Sequence, residues 1–267
     1  MDALTRIFGI TKPLIAMCHL DGLPGRPRHD VAGGMDAIVE ALGRDVAALQ
    51  DAGVDGLLFC NENDLPYVTR VGTEVAAAMA AAVACLRPQI RIPFGVDLLW
   101  DPMSSVAVAR ATGASFVREV FTGVFDSDMG LLCPDLGEVA GYRHAIGADD
   151  VALFGNITPE FSRSVAGRSV AERALGAEYL GVDVLLISGQ AAGVGADMAD
   201  LREAKAAVSR IPVLANTGVN HDSVGDILAL VDGAIVGTSL KVDGNTWNRV
   251  DPDRARRMVE LVAAARG

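Results

Sequence analysis

A chain of 267 residues that is 51% hydrophobic and 21% charged has the balance of a folded globular protein, and its length suits one large domain or two small ones. Lys and Arg number 23 against 34 for Asp and Glu, and the formal charge of −11 argues against nucleic-acid binding through a broad basic face. The four cysteines, Cys18, Cys60, Cys85 and Cys133, lie far apart and form neither a disulfide framework nor a zinc-binding spacing, as suits a reducing cytosol.

The first aliphatic run, at 14–20, leads into Cys18-His19-Leu20-Asp21-Gly22, and a Gly- and Pro-rich loop carrying Arg26 and Arg28 follows. Ile38, Leu42, Val46 and Leu49 then recur at steps of three and four, which predicts a helix with one apolar face. Gly53, within Asp51-Ala52-Gly53-Val54-Asp55, should end that helix in a left-handed position before a second run at 56–61. Asn61-Glu62-Asn63-Asp64 closes that run. The stretch 75–86 is mostly alanine and reads as a tightly packed helix, short of the roughly 20 residues that cross hydrocarbon. No signal-peptide core precedes it, so a cytoplasmic protein with no transmembrane segment is expected.

The third run, at 93–99, holds Asp97 in otherwise apolar surroundings, and the fourth, at 116–121, holds Arg118 and Glu119. The segment 122–132 is longer than a simple turn and reads as a lid or an oligomer contact. A fifth run at 151–157 ends near Asn156 and Thr158. The sixth, at 184–189, ends in Ser188-Gly189-Gln190 and opens into a Gly-rich loop reaching Gly195. Met198, Leu201, Lys205 and Val208 mark another helix. The seventh run, at 212–217, ends in Asn216-Thr217-Gly218, and the eighth, at 234–240, contains Gly237-Thr238-Ser239. Asp251-Pro252-Asp253 is a start signal for the last helix.

Eight runs in 267 residues repeat about every 33 residues, the length of one β-α unit. Most of the runs are continuously apolar rather than alternating, as parallel strands covered by helices should be. No Gly-rich dinucleotide turn follows the first run, and no linker divides the chain. The reading is a single (β/α)8 TIM barrel spanning 1–267.

In that fold the active site lies at the carboxyl ends of the strands, where the polar residues collect. A buried carboxylate such as Asp97 should face the polar mouth, either as a catalytic acid or base or in an ion pair with Arg118. Arg118 and Glu119 are adjacent in a strand and point to opposite faces. If Glu119 enters the barrel it is the catalytic candidate; if Arg118 does, it is an anion-binding one. His19 is either a proton shuttle or a core histidine bonded to the backbone. Asn61, Glu62, Asn156, Ser188 and Asn216 are candidates to bind the substrate. Gly218, Gly237, Thr238 and Ser239 form the two loops that hold phosphate in many barrels, through backbone N–H groups and hydroxyls. No HExxH or similar pair suggests zinc, so no metal site is assigned; Mg2+ on Asp97 with Glu119 or Glu62 is the remaining metal alternative. A flavin is not expected, since aromatic residues make up only 5% and no cofactor signature is visible.

Pro13-Leu14-Ile15-Ala16-Met17-Cys18-His19-Leu20 with Leu23-Pro24-Gly25 resembles the opening of the BtpA/SgcQ family. Asn61-Glu62-Asn63-Asp64, Gly95-Val96-Asp97-Leu98-Leu99-Trp100-Asp101, Phe116-Val117-Arg118-Glu119, Ala215-Asn216-Thr217-Gly218 and Gly237-Thr238-Ser239-Leu240-Lys241 resemble its internal signatures. The resemblance covers nearly the whole chain and implies a barrel similar to the ribulose-phosphate-binding ones. Gly237-Thr238-Ser239 is also similar to the phosphate loop of tryptophan synthase α chains. The expected function is an enzyme acting by acid/base chemistry on a small phosphorylated metabolite, a sugar phosphate or related ester. The alternative implied by the family is a non-catalytic assembly factor, as in photosystem I biogenesis. A homo-oligomer is the default for a soluble enzyme.

Overall fold

The computed structural model describes residues 1–191 and 193–267. The strands, numbered along the chain, are β1 (Leu14–His19), β2 (Gly56–Cys60), β3 (Phe94–Asp97), β4 (Phe116–Glu119), β5 (Phe125–Ser127), β6 (Gly130–Leu132), β7 (Ala152–Asn156), β8 (Ser162–Ser164), β9 (Val184–Ser188), β10 (Val213–Asn216) and β11 (Ala234–Val236). The eight aliphatic runs supply β1, β2, β3, β4, β7, β9, β10 and β11, which pair in parallel in that order and close when β11 meets β1. This is the expected (β/α)8 barrel.

The inner face carries Ile15, Leu58, Phe116, Phe154, Leu186, Leu214 and Ile235, packed together across the barrel axis. Alternate residues, among them Leu14, Leu57, Val96 and Val117, face outward into a second apolar layer beneath the helices. Burial on both faces is why the runs lack alternation. Each fully buried Leu, Ile or Phe contributes about 1.5–3 kcal/mol of transfer free energy.

The helices are α1 (Ala3–Phe8), α2 (Gly34–Ala52), α3 (Thr73–Leu86), α4 (Pro102–Thr112), α5 (Leu136–Ala145), α6 (Val170–Leu180), α7 (Met198–Ala207), α8 (Val224–Leu228) and α9 (Pro252–Arg266). Helix α2 buries Ile38, Leu42, Val46 and Leu49 and stops at Gly53 with φ 93°, as its sequence predicts. Asp251 caps α9 by accepting from the N–H groups of Asp253 and Arg254, with Pro252 in the first turn. Helix α1 carries no apolar repeat long enough to announce it. It closes the amino end of the barrel, where Phe8 meets Phe116 edge-on at 5.9 Å.

Two departures from expectation shape the carboxyl end. The eighth run stops being strand at Val236, because Gly237 turns the chain at φ −123°, ψ −84° into a single 3-10 turn, Thr238–Leu240. The long segment after β4 forms the hairpin β5–β6, and β5 also pairs with β8 from the loop after β7, giving a three-stranded antiparallel sheet. No helix among the described residues is long and apolar enough to cross a membrane.

Candidate active site at the barrel mouth

Strand parity decides which strand-end residues enter the barrel. Phe116 belongs to the inner cluster and Val117 to the outer one, so Arg118 points inward and Glu119 outward. Arg118 Nη1 donates to Asp97 Oδ2 at 2.6 Å, and Nη2 donates to Glu160 Oε1 at 2.8 Å. All three side chains are buried. Burial alone would weaken the Arg118 charge; the Asp97 and Glu160 carboxylates more than offset it and hold the guanidinium protonated. Burial also pushes the Asp97 carboxyl up from its ordinary value, against the pull of Arg118.

With its amide oxygen turned toward Arg118, Asn216 Oδ1 accepts from Arg118 Nη2 at 2.9 Å, from Nε at 3.2 Å and from Ser188 Oγ at 2.6 Å. Asn156 Nδ2 donates to Glu160 Oε2 at 3.1 Å, and the Thr217 hydroxyl donates to Glu160 Oε1. Arg118 is therefore fixed on several sides at once, a rigid cation at the centre of the mouth.

Glu119 does not line the cavity bounded by His19, Glu62 and Gly237; it borders a small adjoining cavity with Asp97, Arg118 and Glu160. Its Oε1 accepts from Asp101 N at 3.2 Å and from Ser105 Oγ at 3.2 Å, tying β4 to the start of α4. Burial, and then the nearby Asp97 charge, push it well above the usual carboxylate range. Asn61 is also held inside the wall, accepting from Leu99 N at 2.9 Å and donating to Asp64 Oδ2 at 2.9 Å. Among the described residues no group of three or more His, Cys, Asp or Glu is arranged to hold a metal ion.

The cavity itself opens above Met17 and Ile235, the inner residues one step below His19 and Gly237 on their strands. On one side stand Glu62, Tyr67, Leu99 and Trp100. On the other are Gly193, Thr217, Gly218, Gly237, Thr238 and Thr246, with Arg118, Glu160, Phe161 and Asn216 completing the ring. Glu62 takes a hydrogen bond from the Tyr67 hydroxyl at 3.1 Å and faces the Cys60 thiol at 3.8 Å. Burial pushes its carboxyl up, opposed by the Arg118 charge. His19 is held well below its usual range by burial, then by the Lys241 charge, and is a neutral imidazole at pH 7.

The glycine side brings three loops together with little side-chain bulk between them. Gly218 has φ 69°, and a Cβ there would run into the backbone of Val194 and Gly195. A Cβ on Gly237 would sit 3.2 Å from Met17 Cγ. Thr238 and Thr246 share a hydroxyl–hydroxyl hydrogen bond of 2.7 Å. Ser239 differs from expectation: its hydroxyl donates to Val219 O at 2.6 Å, so the side chain is turned into the loop and away from the cavity. The Gly-rich loop after β9 contributes Gly193; Ala192 lies outside the described residues.

Of the residues singled out from the sequence, His19, Glu62, Arg118, Asn216, Gly218, Gly237 and Thr238 line this cavity. Asp97, Asn156 and Ser188 stand just behind it, bonded to residues that do. Sequence reasoning missed Glu160, Tyr67, Trp100, Phe161 and Thr246, whereas Thr217 belongs to the strand-end loop it singled out. Glu160 carried one signal, a carboxylate four residues past the inward Asn156. The others sit in loops whose path no periodicity predicts.

A model described as the BtpA family matches residues 10–264. The chain is 41% identical to the sgc region protein SgcQ of Escherichia coli over 263 residues, covering 98% of each. It is 31% identical to the photosystem I biogenesis protein BtpA of Synechocystis over 264 residues, 97% of this chain and 91% of that one. Among solved structures, tryptophan synthase from M. tuberculosis superposes with a TM-score of 0.61 at 17% identity, covering 99% of both chains. The N-acetylmannosamine-6-phosphate 2-epimerase from Clostridium perfringens gives 0.55 at 18% identity, covering 98% of this chain and 96% of that one. These structural likenesses establish the shared barrel.

Proposed function

The chain belongs to the BtpA family, and on that premise we propose that it is an enzyme acting on a small phosphorylated metabolite, a sugar phosphate or related ester, by proton transfer at the carboxyl end of the barrel. One observation carries this reading: a single cavity has a wall of close-packed glycine loops facing a wall of buried acid/base groups. Gly218 and Gly237 put no side chain between main chain and cavity, so backbone N–H groups there would surround an anion, with the Thr238 hydroxyl exchanging its bond to Thr246 for one to the ligand. The net charge of −11 bears little on this, because distant carboxylates are screened over about 8 Å at physiological salt.

Glu62 is the group we assign to acid/base chemistry. It faces the cavity, its carboxyl is raised from the ordinary value by burial, and the salt bridges among the described residues leave it without a cation partner. A carboxyl raised above its ordinary value is a stronger base once ionised, which suits it to acid/base chemistry. Tyr67 orients it through the hydroxyl hydrogen bond. Asp97, Glu160 and Asn216 fix Arg118, which balances part of the carboxylate charge and presents a rigid electrostatic centre to developing negative charge on substrate. His19, neutral, is placed to pass a proton or accept a substrate hydroxyl. The sugar-phosphate name of a structural neighbour, the epimerase, supports the substrate class.

Thermal unfolding with inorganic phosphate and a series of sugar phosphates tests the reading. A ligand at one hundred times its Kd stabilises by about 2.7 kcal/mol, readily seen as a raised Tm. Failure of every phosphate ester to stabilise the protein would overturn it. The alternative is an assembly role without catalysis, suggested by the name of the Synechocystis relative. A deletion strain rescued fully by Glu62→Gln would favour that role; failure of the variant, with protein levels maintained, favours the enzyme.

A further inference from the structure

A phosphate monoester carries close to two negative charges at neutral pH. Among the described residues that line the cavity, the one permanent cation is Arg118, and Asp97 and Glu160 already share it. The basic residues of the last loop and helix are engaged as well. Lys241 Nζ lies 3.5 Å from Asp45 Oδ2, Arg249 pairs with Asp21, and Arg254 Nε donates to Ser239 O at 2.8 Å. Backbone N–H groups carry only partial charge, so the glycine wall by itself offsets little of the anion.

Arg28 differs from all of these. It is exposed, and its guanidinium lies 4.9 Å from the centre of the Trp247 ring in a cation–π contact. Among the described residues no carboxylate is within salt-bridge distance of it. Asp21 and Asp30, which line the same surface cleft, go to Arg249 and to the N–H of Ala32 at 3.1 Å. The loop that carries Arg28 is fixed at its base. Gly22 is pressed against it, and a Cβ there would lie 2.6 Å from the Arg28 carbonyl carbon. Arg26 Nη2 donates to Asp64 O at 3.0 Å and to Pro66 O, while Leu23 N donates to Asp64 Oδ1 at 2.8 Å.

These contacts run the loop along the rim, from Pro66 on one side to Trp247 on the other. Tyr67, the residue after Pro66, and Thr246, the residue before Trp247, both line the cavity. The Thr246 hydroxyl bonds that of Thr238 in the glycine wall. Arg28 therefore rests one residue outside the anion wall, a long side chain on a fixed main chain. Its contact with an exposed ring is weaker than a forked, charge-assisted bond to phosphate, so an anion at the wall draws it away.

We propose that Arg28 is a substrate-binding residue that leaves the Trp247 ring to bind the phosphate group from the open side, while Gly218, Gly237 and Thr238 hold it from the wall. The inference rests on the cavity being a phosphate-ester site and deepens it, by assigning the cation that the cavity lining lacks.

Calorimetry at pH 7 with inorganic phosphate, ribose 5-phosphate and glucose 6-phosphate, on the parent, R28Q, R28K and T238V proteins, tests it. R28Q should keep the Tm of the free protein, as suits an exposed side chain. It should weaken inorganic phosphate, and any ester that binds the parent, by about tenfold or more. R28K keeps the charge without the planar fork and should recover part of the loss. T238V should weaken the same ligands. In 15N-labelled parent protein the Trp247 Hε1 resonance, assigned by its absence from W247F, should shift as phosphate is added; in R28Q it should stay in place. Unchanged binding by R28Q, or an unmoved Hε1 in the parent at saturating phosphate, would overturn the inference and leave the phosphate-ester reading standing. Weakening in R28Q with T238V unaffected would place the anion outside the cavity and overturn both. Absence of binding by phosphate and by every ester to the parent would also overturn both.

Discussion

Glu62 has a tyrosine hydroxyl for a neighbour and burial for an environment, and its carboxyl holds its proton more tightly folded than unfolded. Above the ordinary value of 4.5 the unfolded chain therefore binds fewer protons, and stability falls as pH rises until Glu62 is ionised in the folded protein. Glu62→Gln removes that slope. Urea unfolding should show the variant more stable than the parent at pH 7 and level with it at pH 4, while turnover of the true substrate falls by about 10²–10⁴-fold. A variant destabilised equally at both pH values would count against a strained functional carboxyl. Arg118 makes the opposite case. Arg118→Met leaves Asp97 and Glu160 buried without their cation, which should cost about 3–5 kcal/mol at pH 7. Part of the loss should return at pH 5, because burial unopposed by Arg118 raises the Asp97 carboxyl further and neutralises it. A loss under about 1 kcal/mol, or one independent of pH, would show that the network is not the electrostatic unit described. The Asp97–Arg118 pair was legible from sequence as one of two alternatives, since a lone carboxylate in an apolar strand needs a partner. Glu160 was not, because its approach to Arg118 depends on the path of the chain beyond Asn156.

Strand β4 shows where reading by element reaches its limit. Phe116 and Val117 are both apolar and both fully buried, so no alternation marks the inner face. Only the closed barrel, with Phe154 stacked on Phe116 at 4.4 Å, assigns Arg118 to the mouth and Glu119 to the α4 side. The turn after β10 is more legible: a glycine at the seventh strand end is where barrels bring main chain to phosphate. Its structural reason goes further, since Gly218 is pressed against the loop after β9. Gly218→Ala should therefore cost about 1–3 kcal/mol in strain alone and weaken binding of a stabilising phosphate ester. Gly141→Ala is the contrasting change. It lies within α5 with nothing within 4 Å of a new Cβ, and it should stabilise by about 0.5–1 kcal/mol. Denaturant unfolding of the two variants checks both; a neutral Gly218→Ala with unchanged ligand stabilisation would remove the tight loop junction from the account.

The barrel as a whole was readable because eight buried strands leave eight aliphatic runs, each followed by polar residues at one end only. The closure by α1 and the sheet β6–β5–β8 were not readable, since elements of three to six residues carry too little periodicity. A buried pair at the closing seam, Lys241 Nζ 3.5 Å from Asp45 Oδ2, fixes the last loop against α2, and Val250 N donates to the same aspartate. That seam sets the glycine wall at a defined place opposite Glu62, and the whole functional reading depends on an anion settling there. The most direct measurement is a crystal soaked in phosphate or the heavier tungstate and examined for anion density. The account predicts density between Gly218 and Gly237–Thr238, across the cavity from Glu62. Density confined to the basic residues of the outer surface, with the glycine wall empty at saturating anion, would contradict it.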